Sequence, residues 1–129
     1  MIQNIKNLNP QELAYIGDAL YEVYIRKYNM EKGIRKVINL QKETVKYVRA
    51  DYQAKAIKYL VDNNILNDDE IDVCKTARNF KTNTKARHTD ILTYKHATSF
   101  EALIGYLYLN NNVERMNYII KIVLEECKC

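Results

Sequence analysis

Twice in this chain a glycine sits close to an acid inside an apolar, helix-patterned run, and no other feature restricts the fold as much. The first run is Tyr15-Ile16-Gly17-Asp18-Ala19-Leu20-Tyr21-Glu22, and the second is Phe100-Glu101-Ala102-Leu103-Ile104-Gly105-Tyr106. Glycine in a helix interior costs about 1 kcal/mol relative to alanine, so each position needs a reason in close packing. Two helices that meet at their glycines bring their backbones together, and that approach draws Asp18 and Glu101 toward one place. Asp18 also stands four residues from Glu22, a spacing at which like charges repel on a helix. A bound cation or a phosphate-positioning role relieves the conflict. The plainer reading of Asp18 is a buried acid paired with a lysine or arginine, because buried acids are rare unless paired or coordinated.

The rest of the pattern is helical. Asn9-Pro10 opens a helix, with Asn as N-cap and Pro at the first helical position. Leu13, Ile16, Leu20, Val23 and Tyr24 form a broad apolar face that Tyr21 and Ile25 extend, leaving a narrow polar wedge of Asp18, Glu22 and Arg26. A helix apolar nearly all round belongs at the centre of a bundle, which places Asp18 on a largely buried element. Gly33 marks the following turn, and two amphipathic helices are expected over 37–49 and 52–63. Asn67-Asp68-Asp69-Glu70 is a capped, acid-rich first turn for a helix running to about Arg78. Residues 79–95 show no period and read as a long loop. Helices are expected again over 97–110 and 113–126, the first with a core stripe of Phe100, Leu103, Ile104, Leu107 and Tyr108. Strand-type alternation is absent. The expected fold class is all-α, one helical bundle spanning residues 1–129.

Composition narrows the setting. At 129 residues, 47% apolar and 28% charged, the chain can bury a core without disulfide or metal staples. No apolar run approaches the ~20 residues that span a bilayer, and the N-terminus lacks a secretory pattern. Together with the odd count of three cysteines, this predicts a soluble protein of the reducing cytoplasm. Cys127-x-Cys129 has no matching second pair for a zinc site and reads as a pair of tail thiols.

The net charge of +4 is modest, but its distribution is uneven: Lys75, Arg78, Lys81, Lys85, Arg87 and Lys95 face a single acid, Asp90. Such a run attracts phosphate backbones; a solvated charged loop is the bland alternative. His88-x-Asp90 is similar to a fragment of metal phosphohydrolase sites, which need more ligands than this chain holds. His88 and His96 are therefore expected as loop histidines facing a bound partner or solvent. The 11 tyrosines are expected in the core and at a subunit interface.

With Leu13-Ala14-Tyr15-Ile16-Gly17-Asp18-Ala19 and Phe100-Glu101-Ala102-Leu103-Ile104-Gly105 on the page, the chain resembles the ribonuclease III catalytic domain. The nearest branch is the short Mini-ribonuclease III form without a double-stranded-RNA-binding domain. Ala77-Arg78-Asn79, Thr89-Asp90 and Thr93-Tyr94 carry further parts of the likeness, which covers nearly the whole chain. The resemblance implies an all-α endonuclease domain that hydrolyses double-stranded RNA with Mg²⁺, for which Mn²⁺ can substitute. It implies a homodimer with one catalytic centre per subunit, and for this branch the trimming of large-subunit (23S) ribosomal RNA precursors, with a ribosomal protein as a possible companion of the substrate. Asp18 falls on the family's catalytic aspartate and Glu101 on its metal-binding glutamate. The chain departs from the larger relatives at Ala14 and Thr98, where they carry a glutamate and an aspartate.

On that reading Asp18 is the principal metal ligand and Glu101 its partner, since Mg²⁺ takes one or two carboxylates plus waters and phosphate oxygens. Glu22 either supports the site from behind or pairs with Arg26 at i,i+4, the pairing being preferred. Arg78, Lys81, Lys85 and Arg87 are expected to contact the RNA backbone, since A-form RNA is gripped mainly through phosphates and 2′-hydroxyls. The rival readings are a module of the same fold that binds structured RNA or a ribosomal partner without turnover, favoured by Ala14 and Thr98, and a helical protein-binding adaptor, which would need an exposed apolar groove.

Overall fold

The computed structural model describes residues 2, 4–81 and 90–127. After a short 3₁₀ turn at Ile5–Asn7 come six helices: α1 (Pro10–Glu31), α2 (Val37–Val48), α3 (Ala50–Asp62), α4 (Asp68–Asn79), α5 (Ile91–Leu109) and α6 (Val113–Glu125). No strand occurs among the described residues, and none of their helices is long and apolar enough to cross a membrane.

Local chemistry sets the helix starts. Asn9 Oδ1 accepts from the backbone N–H of Glu12 at 2.9 Å while the Glu12 carboxylate accepts from the N–H of Asn9 at 3.2 Å. The same reciprocal cap joins Asn67 and Glu70 at the start of α4. Gly33 holds φ +91° in the turn after α1, a conformation that suits glycine.

The long helix α5 is the central element. Ala97, Ser99, Phe100, Ala102, Leu103, Ile104, Gly105 and Leu107 are all buried in it, and it packs against α1, α3, α4 and α6. The role expected of α1 thus falls to α5. Helix α1 buries only Pro10, Leu13, Ala14, Gly17, Tyr21, Ile25 and Asn29, a single stripe of the kind one helix face provides. Its outer side leaves Tyr15 84% and Val23 61% exposed. Asp18 is exposed as well, which corrects the expectation that it lies on a largely buried element. The apolar residues that suggested burial all round are more numerous than the packing of α1 within this chain uses.

Helix α5 starts six residues earlier than its periodicity predicts. Asp90 caps it, accepting from the backbone N–H of Thr93 at 2.8 Å and from its hydroxyl at 2.9 Å. The first turns carry Thr93 and Tyr94 and no repeating apolar stripe, so the cap was the available signal. His96 accordingly lies within α5 and not in a loop. Across the core, Tyr21 meets Phe100 edge to face at 5.0 Å between ring centroids and donates its hydroxyl to Tyr47 O at 2.9 Å, tying α1 to α5 and α2. Fully buried residues such as Ile25, Leu60, Leu103 and Ile119 each contribute about 1.5–3 kcal/mol through burial.

Candidate functional site

The crossing of α1 and α5 leaves no room for side chains at its centre. A Cβ built on Gly17 would lie 1.8 Å from the backbone oxygen of Glu101, and one on Gly105 would lie 2.0 Å from that of Leu13. Real Cβ atoms do not approach so closely, and a backbone oxygen cannot step aside as a flexible side chain can. Both glycines are therefore required by contact, as their sequence setting predicts.

This crossing brings the Asp18 and Glu101 carboxyl groups close enough to act on one another. Asp18 stands at the exposed edge and Glu101 is half-buried behind it. Burial, then the close approach and the charge of Asp18, push the Glu101 carboxyl up to about 9. Glu101 therefore keeps its proton at neutral pH. Among the described residues no lysine or arginine offsets this; the one influence in the opposite direction is the side-chain amide of Gln53 on α3. Gln53 Nε2 completes no hydrogen bond of ordinary geometry and lies near Glu101 at longer reach.

The two positions where larger relatives carry acids contribute no carboxylate here. Ala14 is buried in the α1 stripe. The Thr98 hydroxyl donates to Tyr94 O at 3.0 Å. Among the described residues no group of three His, Cys, Asp or Glu side chains gathers to enclose a metal. Two hard carboxyl groups at a solvent-facing edge suit a cation that completes its shell with water and phosphate oxygens, and do not suit an all-protein cage.

The other candidate residues scatter. Glu22 accepts from Arg26 Nη2 at 2.6 Å and Nε at 3.0 Å, the surface pair expected of it. Arg78, in the last turn of α4, and His96 line a groove of about 480 Å³ between α3, α4 and α5, with Lys55 and Lys75 at its rim and Cys74 at its floor. Burial, followed by the charge of Arg78, holds the His96 imidazole below its ordinary range. Lys81 is exposed just beyond α4. Lys85, Arg87, His88 and Cys129 lie outside the described residues. Gln53 was missed in the sequence. It occupies an apolar face with Ala56, Ile57 and Leu60, all buried, and a lone amide at core spacing was the sign that could have revealed it.

Comparison with known proteins agrees with this architecture. Residues 11–112 match the ribonuclease III domain. The chain is 46% identical to a Mini-ribonuclease 3 of Clostridium tetani over 123 residues, covering 95% of this chain and 80% of that protein. It is 43% identical to the Mini-ribonuclease 3 of Staphylococcus aureus, covering 95% and 94% respectively. The crystal structure of protein FN1578 from Fusobacterium nucleatum superposes with a TM-score of 0.85 at 34% identity, covering 96% of this chain and 99% of that one. With the paired glycines, the acids beside them and the all-helical fold in agreement with these matches, the chain belongs to the ribonuclease III family of endoribonucleases, alongside its short Mini-ribonuclease III members.

Proposed function

We propose that the chain hydrolyses phosphodiester bonds of double-stranded RNA at the Asp18–Glu101 pair, with Mg²⁺ as cofactor. The observation that carries this reading is the pair itself: two carboxyl groups brought together by the glycine crossing with no compensating cation among the described residues, one of them keeping its proton at neutral pH. Such an arrangement is costly for stability alone, and perturbed acids in this setting mark functional sites. Asp18 and Glu101 would hold the Mg²⁺ ion. When bound, the ion supplies polarisation of a phosphoryl oxygen and a water made more nucleophilic. Asp18, at the exposed edge, orients that water toward the phosphorus. Glu101, held by α5 against the backbone of α1, would supply the second carboxyl to the ion and would give up its proton to do so.

Arg78 and Lys81, with Lys85 and Arg87 following, grip the phosphate backbone of the duplex. A second copy of the chain completes the enzyme. The exposed Tyr15, beside Ile2, Leu8, Ile16 and Leu109 in a shallow apolar depression, supports a homodimer that covers this side of α1. On this reading the whole chain is one catalytic domain acting in the cytoplasm, and its substrate is the 23S ribosomal RNA precursor, presented with a ribosomal protein bound. That assignment follows from the resemblance to the short branch.

A labelled RNA duplex incubated with Mg²⁺ tests the proposal. Cleavage that EDTA stops and that Asp18→Asn abolishes supports it. The buried methyl of Ala14 and the engaged hydroxyl of Thr98 favour the second reading, an RNA-binding module without turnover. Duplex binding with no cutting under any divalent cation would establish that reading instead.

A further inference from the structure

We propose that Gln53 is a positioning residue of this site: its side-chain amide, aimed from α3, fixes the orientation in which the Glu101 carboxyl is presented to the cation and phosphate. The proposal rests on the endonuclease reading above and extends it to a third helix.

Three observations converge on Gln53. It is 2% exposed on a face otherwise made of Ala56, Ile57 and Leu60, where an apolar residue would cost nothing. Its Nε2 has no hydrogen-bond partner, and a buried orphan donor costs about 1–3 kcal/mol. That amide also lies near the Glu101 carboxyl, across the packing of α3 on α5.

A polar group in an apolar setting, without a satisfied bond and facing one member of an acid pair, has a use beyond filling space. Glu101 projects from a helix whose backbone is fixed against α1 at Gly17 and Gly105, so the remaining freedom lies in its side-chain torsions. Asp18 limits those torsions from the solvent side, and Gln53 limits them from the core side. With Ala14 and Thr98 contributing no carboxylate, fewer groups hold the ligand oxygens in place, and the amide takes over part of that task. Hydrogen bonds of this kind are often long before substrate arrives and shorten in the loaded site.

The test compares Gln53→Met, which keeps length and removes the donor, with Gln53→Glu, which keeps shape and replaces the donor by an acceptor. Each full-length variant is assayed for kcat and KM on an RNA duplex. Separately, the Mg²⁺ and Mn²⁺ concentrations giving half of the cation-induced rise in Tm are measured without RNA. A positioning role predicts that Gln53→Met keeps or gains Tm in the absence of cation. Its kcat should fall about 10–100-fold, the usual loss when a group orienting a metal ligand is removed, with KM within twofold. Its cation midpoint should rise about tenfold. Gln53→Glu should lose at least as much kcat.

Wild-type kcat and a wild-type cation midpoint in Gln53→Met overturn the proposal and leave Gln53 as core filling. Should Gln53→Met fail to fold, Gln53→Glu decides by the same two readouts, wild-type values again overturning the proposal. Failure of the endonuclease reading is distinct, since the wild-type protein itself would then neither cut the duplex nor respond to either cation.

Discussion

Glu70 and Glu101 are two glutamates withdrawn from solvent in one small bundle, and their surroundings could hardly differ more. Glu70 is 1% exposed. It accepts from Arg115 Nε at 2.9 Å and Nη2 at 2.8 Å, and from the backbone N–H of Asn67 at 2.9 Å. Arg115 Nη2 also donates to Ile65 O at 2.6 Å, so the guanidinium joins α6 to the turn before α4. Burial alone would raise the Glu70 carboxyl, but the Arg115 hydrogen bonds, the Asn67 amide and the Arg115 charge outweigh it and hold the group below its usual range. Glu101 has a second acid where Glu70 has an arginine, and its carboxyl moves the other way, to about 9. The first acid is satisfied and joins helices; the second faces another acid with no lysine or arginine beside it among the described residues. Burial is common to both and so does not separate structure from function. The partner does.

The largest test of this contrast is removal of each charge. Asp18→Asn and Glu101→Gln should each lower cleavage of an RNA duplex by about a hundredfold or more, the scale of losing a group that stabilises charge in the transition state. Glu101→Gln should not lower Tm in metal-free buffer, since it removes an acid that the fold already keeps neutral. Glu70→Gln should show the reverse pattern. It leaves Arg115 without its counter-charge and should cost on the order of 3 kcal/mol, read as a fall in urea midpoint, while the folded fraction cuts RNA at a rate close to wild type. Loss of activity without loss of stability in Glu70→Gln would erase the distinction.

Proton linkage sharpens it further. The Glu101 carboxyl is raised in the folded state, so its contribution to stability is complete below its ordinary value of 4.5 and is lost as pH rises through about 9. The Glu70 carboxyl is depressed, so its contribution is present above the ordinary value and is lost as pH falls through the lowered one. Metal-free protein should therefore lose Tm between pH 5 and 9, and Glu101→Gln should flatten that slope. Glu70→Gln should flatten the loss below about pH 4.5 and leave the alkaline side unchanged. Added Mg²⁺ should stabilise wild type more at pH 9 than at pH 6, because the cation and the proton compete for Glu101.

The smallest effect concerns the RNA grip. Replacing Arg78 and Lys81 by glutamine should weaken duplex binding and reduce the dependence of log Kd on log salt by about one to two, with a modest change in kcat. An unchanged salt slope would separate these two side chains from the phosphate backbone.

Much of this was legible in the sequence. The caps at Asn9 and Asn67, the turn at Gly33 and the core stripe of α5, except for Tyr108, which is exposed, follow from local rules, because a capping side chain or a positive φ is decided within a few residues. The meeting of Asp18 with Glu101 was legible for a different reason: a glycine in a helix is expensive, and two such glycines beside acids point at each other. Other features depend on packing between distant segments. Apolar periodicity on α1 did not reveal that Tyr15 and Val23 face outward. The pairing of Glu70 with Arg115 spans 45 positions, and nothing near either residue announces the other. Gln53 was hidden by its own helix, where the residues that surround it are ordinary core.

The glycine crossing also bears on how this molecule could change over time. Gly17 rests on the carbonyl of Glu101, and Gly105, one turn further along α5, rests on that of Leu13, one turn back along α1. The interval between the two acid-bearing helices is thus set by main chain against main chain. Side chains elsewhere in the bundle can be exchanged for others of similar bulk while that interval stays fixed. A lineage could redecorate its interior, or adapt to heat or cold, and the gauge between its two acids would be inherited unaltered.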